Sequence, residues 1–470
     1  MSRIHLALAC AVATSLGADL FAQSSMVPLA TFGTNGWLAP GTSGFLGTGN
    51  LERGFAYNPA TGNLILCSRA GGPNLRILNG ATGADLGGLD VTGLAGGTFV
   101  VNMVDCAADG TIYACNLSTS ITANFKVYKW LAEVPGVPST VAYDALPNVS
   151  RAGDSFAVTG GSGGNPIKFA AAGSNTTVAT PNSYFVVGTV DGSNTGTTYS
   201  GIPGTPTANN GYRLGPTFVD QNTLIGTQGA AALLTTFSGT TATLVASVGT
   251  SAAQRPLDYA VINGTPVLAL IDTNSSIVSV YDISAPSSPL LLTSATTTSG
   301  ALTGNTNGTG SVQWGAITGN TATLYAMSSN QGIQAFTVTV ATPANNRSVG
   351  TGCGTPALAL AATGAPILPS AISLDITNLP AASFAFFALG FTEIPGGVPL
   401  PIAPTCNQYV VPSSTNLVIP TTPGTASYPL NVPNTPSLAG LVFFSQGLSY
   451  DPVTGGLLSS NALRHFLQTF

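Results

Sequence analysis

From about Met26 onward, short apolar runs of β-branched and aromatic residues alternate with turns rich in Gly, Asn, Asp and Thr. That pattern predicts strands joined by tight turns. No long stretch carries helical periodicity with caps at its ends. The runs recur. Gly62-Asn63-Leu64-Ile65-Leu66-Cys67-Ser68 aligns without a gap on Gly110-Thr111-Ile112-Tyr113-Ala114-Cys115-Asn116, an offset of 48 residues, and Ala322 to Ser328 fits the same mould. Each follows a turn: Thr61-Gly62, Asp109-Gly110 or Gly319-Asn320. Asp-Gly between two apolar runs favours a hairpin, because both residues tolerate positive φ.

A further run follows each of these, and a fourth of the same kind lies in the fifth unit. Leu75 to Asn79, Phe125 to Lys129, Val278 to Asp282 and Ile333 to Thr337 all read apolar, polar, apolar, apolar, polar. A preceding run lies at Gly54–Tyr57, Phe99–Val104, Ser155–Thr159, Pro216–Val219, Leu257–Val261 and Val312–Ile317. These six first runs mark six units; the clearest show three strands with room for a weaker fourth, while the third and fourth are read mainly from their first strand. The period predicts a six-bladed β-propeller over residues 27–343, ahead of a two-sheet sandwich array, which would need no fixed period. One small sheet cannot bury both faces, whereas six stacked around an axis can. The segment Met26–Phe32 precedes the first unit and is placed to supply the outer strand of the last. Past Ala344-Asn345-Asn346-Arg347 the strands become short and Pro-punctuated, which predicts a small β-sandwich over 348–470. The fold class is therefore all-β.

Composition narrows the class of function. Of 470 residues only 6% are charged, against about 25% in an average soluble protein. Hydrophobic residues make up 44%, so the chain folds, with a surface built from Thr, Ser, Asn and Gly. The net charge is -5 and there are just three Lys, Lys126, Lys129 and Lys168. Nucleic-acid binding needs a basic stripe to neutralise phosphates, and none exists. The amino terminus reads as a secretory signal over 1–22. Arg3 is followed by an apolar Leu6–Leu16 segment too short to span a bilayer, and Leu20-Phe21-Ala22 offers a cleavage site. No later run approaches the roughly 18 apolar residues of a membrane span. The expected location is secreted or at the cell surface.

Export permits disulfides. Cys353 and Cys406 are alone in the C-terminal part and pair by elimination. Cys67, Cys106 and Cys115 remain and read as buried small hydrophobes.

Several motifs carry a family resemblance. Arg53-Gly54-Phe55-Ala56-Tyr57-Asn58-Pro59, Leu78 to Gly87, Gly96-Gly97-Thr98-Phe99 and Arg151-Ala152-Gly153-Asp154 are similar to a family of secreted bacterial β-propellers catalogued as a domain of unknown function. The resemblance covers roughly Val27 to Val340. It implies a propeller and export, and brings no activity, ligand or catalytic residue with it. Gly352-Cys353, Pro399-Leu400-Pro401 with Cys406, and Ser460-Asn461-Ala462-Leu463-Arg464 resemble a C-terminal module of exported proteins from environmental bacteria.

Chemistry is tightly bounded. The only histidines are His5, within the signal, and His465 near the end. A Ser-His-Asp or Cys-His arrangement in the propeller is excluded, as are multi-His metal sites. Carboxylate catalysis, with or without calcium, stays open in the form of a hydrolase or lactonase. One distribution stands out. Charges are rare, yet several precede the first strand of a unit: Glu52 and Arg53, Arg151 and Asp154, Arg213, and Arg255 with Asp258. Arg151/Asp154 and Arg255/Asp258 share one spacing. In a propeller these side chains would converge on one mouth of the channel. Two roles follow: ion pairs that tie blades together, or a ligand site. The favoured function is non-catalytic binding of a surface glycan or protein, with no cofactor other than the calcium of the alternative.

Overall fold

The computed structural model of the chain describes residues 24–174, 183–207, 210–229, 231–300 and 302–468. The expected signal, residues 1–22, lies outside them. Contacts divide the chain into two compact units, the first Ser24–Val340 and the second beginning at Ala341. Both are built from strands. Among the described residues no helix is long and apolar enough to cross a membrane.

The first unit contains six antiparallel sheets in chain order. Their first strands are Glu52–Tyr57, Phe99–Cys106, Ser155–Thr159, Thr217–Asp220, Gln254–Ile262 and Gly310–Thr318. In each of the first five sheets, four consecutive strands pair as a meander. The sixth has three consecutive strands, and its outer strand is Ser25–Pro28, which pairs antiparallel with Ile333–Thr339 from Ser25↔Thr339 to Pro28↔Phe336. Trp37–Leu38 adds to the same strand.

The first strand of each sheet packs against the first strand of the next, and that of the sixth packs against that of the first. Apolar clusters follow the same cycle. Ile65 and Ile77 meet Val104 and Trp130. Tyr113 and Phe125 meet Phe169 and Tyr184. Phe185 and Tyr199 meet Leu224 and Phe237. Ile225 and Val248 meet Leu268 and Leu270. Val267 and Val280 meet Leu324 and Phe336. Tyr325 and Met327 meet Phe55 and Leu66. Every sheet thus buries both faces against its neighbours, which explains why the second strands read as continuous apolar runs such as Leu64–Ser68, buried throughout.

The repeat-equivalent residues Cys67, Cys115 and Met327 are all fully buried in second strands. Cys106 differs from the expected buried thiol: it ends the Phe99–Cys106 strand and is half-buried.

The second unit has a five-stranded, a three-stranded and a two-stranded sheet. Ile372, Leu374 and Ile376 of the three-stranded sheet share a core with Ala385, Phe387 and Leu463 of the five-stranded one. Cys353 and Cys406 form a disulfide across 53 residues of chain.

Candidate functional site

The inner-strand starts are brought together by direct bonds between sheets. Arg53 Nη1 reaches Thr309 Oγ1, just before the sixth first strand, at 3.3 Å. Arg255 lies so close to Gly308 that a Cβ there would sit 2.2 Å from its Nε. Arg213 Nε donates to Asp154 Oδ2 at 3.0 Å, joining the fourth sheet to the third. Asn102 Nδ2 donates to the Gly153 carbonyl at 2.6 Å, joining the second to the third. A narrow cavity between these strands is lined by Met103, Asp154, Leu214, Pro256, Thr309 and Ser311 among others.

Around it the charged side chains fall into two groups. The first is a clasp. Arg151 grips Asp154 through Nε and Nη2, each at 2.6 Å, and Arg213 adds a third bond. The Asp154 carboxylate is almost wholly buried, while both arginines keep about 30% of their side chains exposed. The bidentate carboxylate holds the Arg151 guanidinium above its usual pKa. Tyr184 fixes the loop further by donating to the Arg151 carbonyl.

The second group makes no ion pair among the described residues. Arg53 is 7% exposed, and besides Thr309 it reaches the Asn50 carbonyl at 3.5 Å. Arg69 donates to the same carbonyl at 3.2 Å, and its guanidinium lies 3.7 Å from the Phe99 ring centroid. Arg255 donates from Nη1 to the Gln228 and Ala252 carbonyls, both at 2.8 Å. Burial, then repulsion from Arg69, lowers Arg53 to about 10, with Asp154 opposing and Arg151 adding to the repulsion. Arg255 is lowered by burial and then by Arg213. Glu52 is buried, accepts the Gly47 N–H at 2.9 Å, and has its pKa raised chiefly by burial.

Six of the seven candidates from sequence therefore gather at one end of the inner strands. Asp258 does not. It pairs with no arginine: Oδ1 accepts Thr217 Oγ1 at 2.7 Å and its neighbour's amide, Tyr259 N–H, at 2.9 Å, while Oδ2 accepts Trp314 N–H at 2.8 Å. It ties the fifth sheet to the fourth and sixth. The register shift between Gln254 and Leu257 separates it from Arg255, so equal spacing with Arg151/Asp154 does not give equal geometry. Asp105, unremarked in the sequence, does the same work between the second and third sheets, accepting Cys106 N–H at 2.9 Å and Val158 N–H at 2.6 Å. Burial raises Asp105 to about 7 and Asp258 to about 6, and the Asp258 charge adds to the rise at Asp105. Arg69 is also new to the site. It follows a second strand rather than a first one, so only the stacking of sheets reveals it.

No group of three or more His, Cys, Asp or Glu suited to a metal exists among the described residues. A second cavity, of about 720 Å³, lies between the third and fourth sheets. Thr159, Asn165, Gln221, Asn222 and Thr236 line it, with Asp220 as its one charged residue.

No protein-family model matches the sequence, and no curated protein is similar to it. Solved structures are similar at low identity. A DUF4623 family protein from Bacteroides eggerthii is 16% identical, covering 63% of this chain and 72% of its own, with a TM-score of 0.46. A gluconolactonase from Xanthomonas campestris is 13% identical over 69% and 93%, with a TM-score of 0.37. The WD40 repeats of RRP9 are 9% identical over 65% and 100%, with a TM-score of 0.39. Likenesses of this size assign no activity to the chain.

Proposed function

We propose that the first unit, Ser24–Val340, is a six-bladed β-propeller, exported behind the signal at 1–22, and that it binds a surface glycan or protein at its arginine-ringed mouth without catalysis. The 348–470 segment then acts as a β-sandwich module for retention at the surface. The observation that carries this reading is the gathering of Arg53, Arg69, Arg151, Arg213 and Arg255 where the inner strands begin. Concave mouths with convergent polar groups are where ligands settle. Asp154, the carboxylate between Arg151 and Arg213, is held by both and so is poorly placed to act as a base.

A second reading, a hydrolase or lactonase with or without calcium, rests on Asp105 and Asp258, whose raised values suit a general acid near neutrality. Their oxygens already hold backbone N–H groups, which weighs against it. Calcium titration with thermal melting separates the two. A large upward shift supports the second reading, because a ligand that binds only the folded state stabilises it. The binding reading is tested on a polysaccharide array with wild type and the Arg151→Gln/Arg213→Gln pair. A class bound by wild type and lost in the variant supports it. Blank arrays overturn the glycan partner.

A further inference from the structure

The mouth is charged one way. Five guanidinium groups face three carboxylates: Glu52 beside Arg69, Asp272 on the side of Arg255, and Asp154. Asp154 is spent on Arg151 and Arg213. Arg53, Arg69 and Arg255 make no ion pair among the described residues and bond only to carbonyls and one hydroxyl. Their bonding is also incomplete. Arg53 Nε, Arg255 Nε, and Nε and Nη1 of Arg69 are shielded from solvent yet have no hydrogen-bond partner among the described residues. Leaving a buried cationic donor unpaired is costly. Glu52 and Asp272 offset part of this charge without bonding to it, and Glu52 Oε2 is itself unpartnered among the described residues; in a chain with so few charges and a net -5, the remaining excess of positive charge needs a reason. All five are Arg, whose planar fork matches the oxygens of carboxylate, sulfate and phosphate in pairs, as the compact Lys ammonium does not.

We propose that this mouth is an anion receptor: it takes a carboxylate, sulfate or phosphate group of its ligand, with Arg53 as the innermost donor and Arg69 and Arg255 at its sides. The inference rests on reading the mouth as a binding site and names the chemistry that site selects. The group can be carried by an acidic polysaccharide or by a small free anion.

The test uses the full mature chain. Thermal melting and calorimetry are run with sodium sulfate, sodium glucuronate, polygalacturonate and neutral dextran, each against sodium chloride at matched ionic strength. Arg69→Gln/Arg255→Gln is the variant of choice, since both residues are half-buried and bond only to carbonyls. Arg53→Gln is a second, harsher change. The expected result is a melting temperature raised by several degrees with the anions over chloride, and affinity at least tenfold weaker in the double variant. Polygalacturonate binding tenfold tighter per carboxylate than glucuronate supports an acidic glycan. Binding of the small anions alone supports a free anion. Anions that act no differently from chloride, or a double variant that binds like wild type, overturn the proposal. Dextran bound by wild type and lost in Arg151→Gln/Arg213→Gln, with no anion effect, overturns this inference while keeping the binding mouth.

Discussion

His465 is the only histidine among the described residues, and its ring is fully buried in the second unit. Nδ1 lies 2.7 Å from Asn346 Oδ1 and Nε2 lies 2.7 Å from Ser445 Oγ. Asn346 uses its Nδ2 on the Gly364 carbonyl, so its oxygen is the atom facing the ring. The neutral tautomer with a proton on Nδ1 satisfies both contacts: it donates to Asn346 and accepts from the Ser445 hydroxyl. Serine, imidazole and a third polar group in line resemble a hydrolase triad. Here the serine is sealed and the third group is an amide, so the trio is a clip across three neighbouring strands. The Phe443 ring stacks on the imidazole at 4.4 Å. Burial lowers the pKa from 6.5 to about 4. The sign follows. The unfolded chain takes up a proton first as pH falls, so the clip's stability is fully present above about 6.5 and is lost as pH drops towards 4. The loss is about 3 kcal/mol by linkage. Melting of wild type and His465→Gln at pH 7 and pH 4.5 checks it. Wild type should lose several degrees more than the variant, and equal losses would assign the acid sensitivity elsewhere.

At the scale of the element, Gly153 decides whether the clasp can form. Its φ is +95°, and a Cβ there would lie 2.2 Å from the Asn116 carbonyl oxygen and 3.0 Å from Phe125. Gly153→Ala must shift the 151–154 turn and with it both bonds from Arg151. A loss of about 1–3 kcal/mol is expected. Gly163→Ala, also at positive φ but with nothing within 4 Å, should cost less, about 1 kcal/mol. Chemical denaturation of the two variants checks the difference; equal costs would mean that the clasp turn is free to move. Arg151 and Asp154 were legible in advance as charges before a first strand, but the turn that joins them was not, because the sequence does not show how close Gly153 comes to Asn116. First and second strands were legible because apolar runs end at Gly, Asn or Asp. Outer strands such as Asp85–Gly88 and Leu290–Ala295 contain no buried residue and carry no alternation to read. Asp105 was hidden because its cross-sheet partner is the backbone amide of Val158, and amides leave no mark in a sequence. Asp258 was misplaced because a shift of register between Gln254 and Leu257 cannot be seen from spacing alone.

At the scale of the molecule, the sixth sheet takes its outer strand from the other end of its unit. Ser25–Pro28 lies against Ile333–Thr339, and Met26 enters the cluster shared by the fifth and sixth sheets. This strand fastens the two ends of a unit over 300 residues apart in chain. The other sheets are local meanders and form without long loop closure, so the sixth carries the entropy of joining the ends. Deleting Ser24–Pro28 removes four paired residues and one buried methionine. It also bares the edge of Ile333–Thr339 beyond the short cover of Trp37–Leu38, and open edges recruit other chains. The expected cost is on the order of 2–4 kcal/mol from the ladder and the methionine, with association visible by size-exclusion chromatography. Val27→Thr tests the same strand without removing it; Val27 is 51% exposed, so its loss should stay within about 0.5 kcal/mol. A deletion that melts with wild type and stays monomeric would show that the sixth sheet holds on three strands, and that the apolar cluster between Phe55, Leu66, Tyr325 and Met327 is enough to join the first sheet to the last.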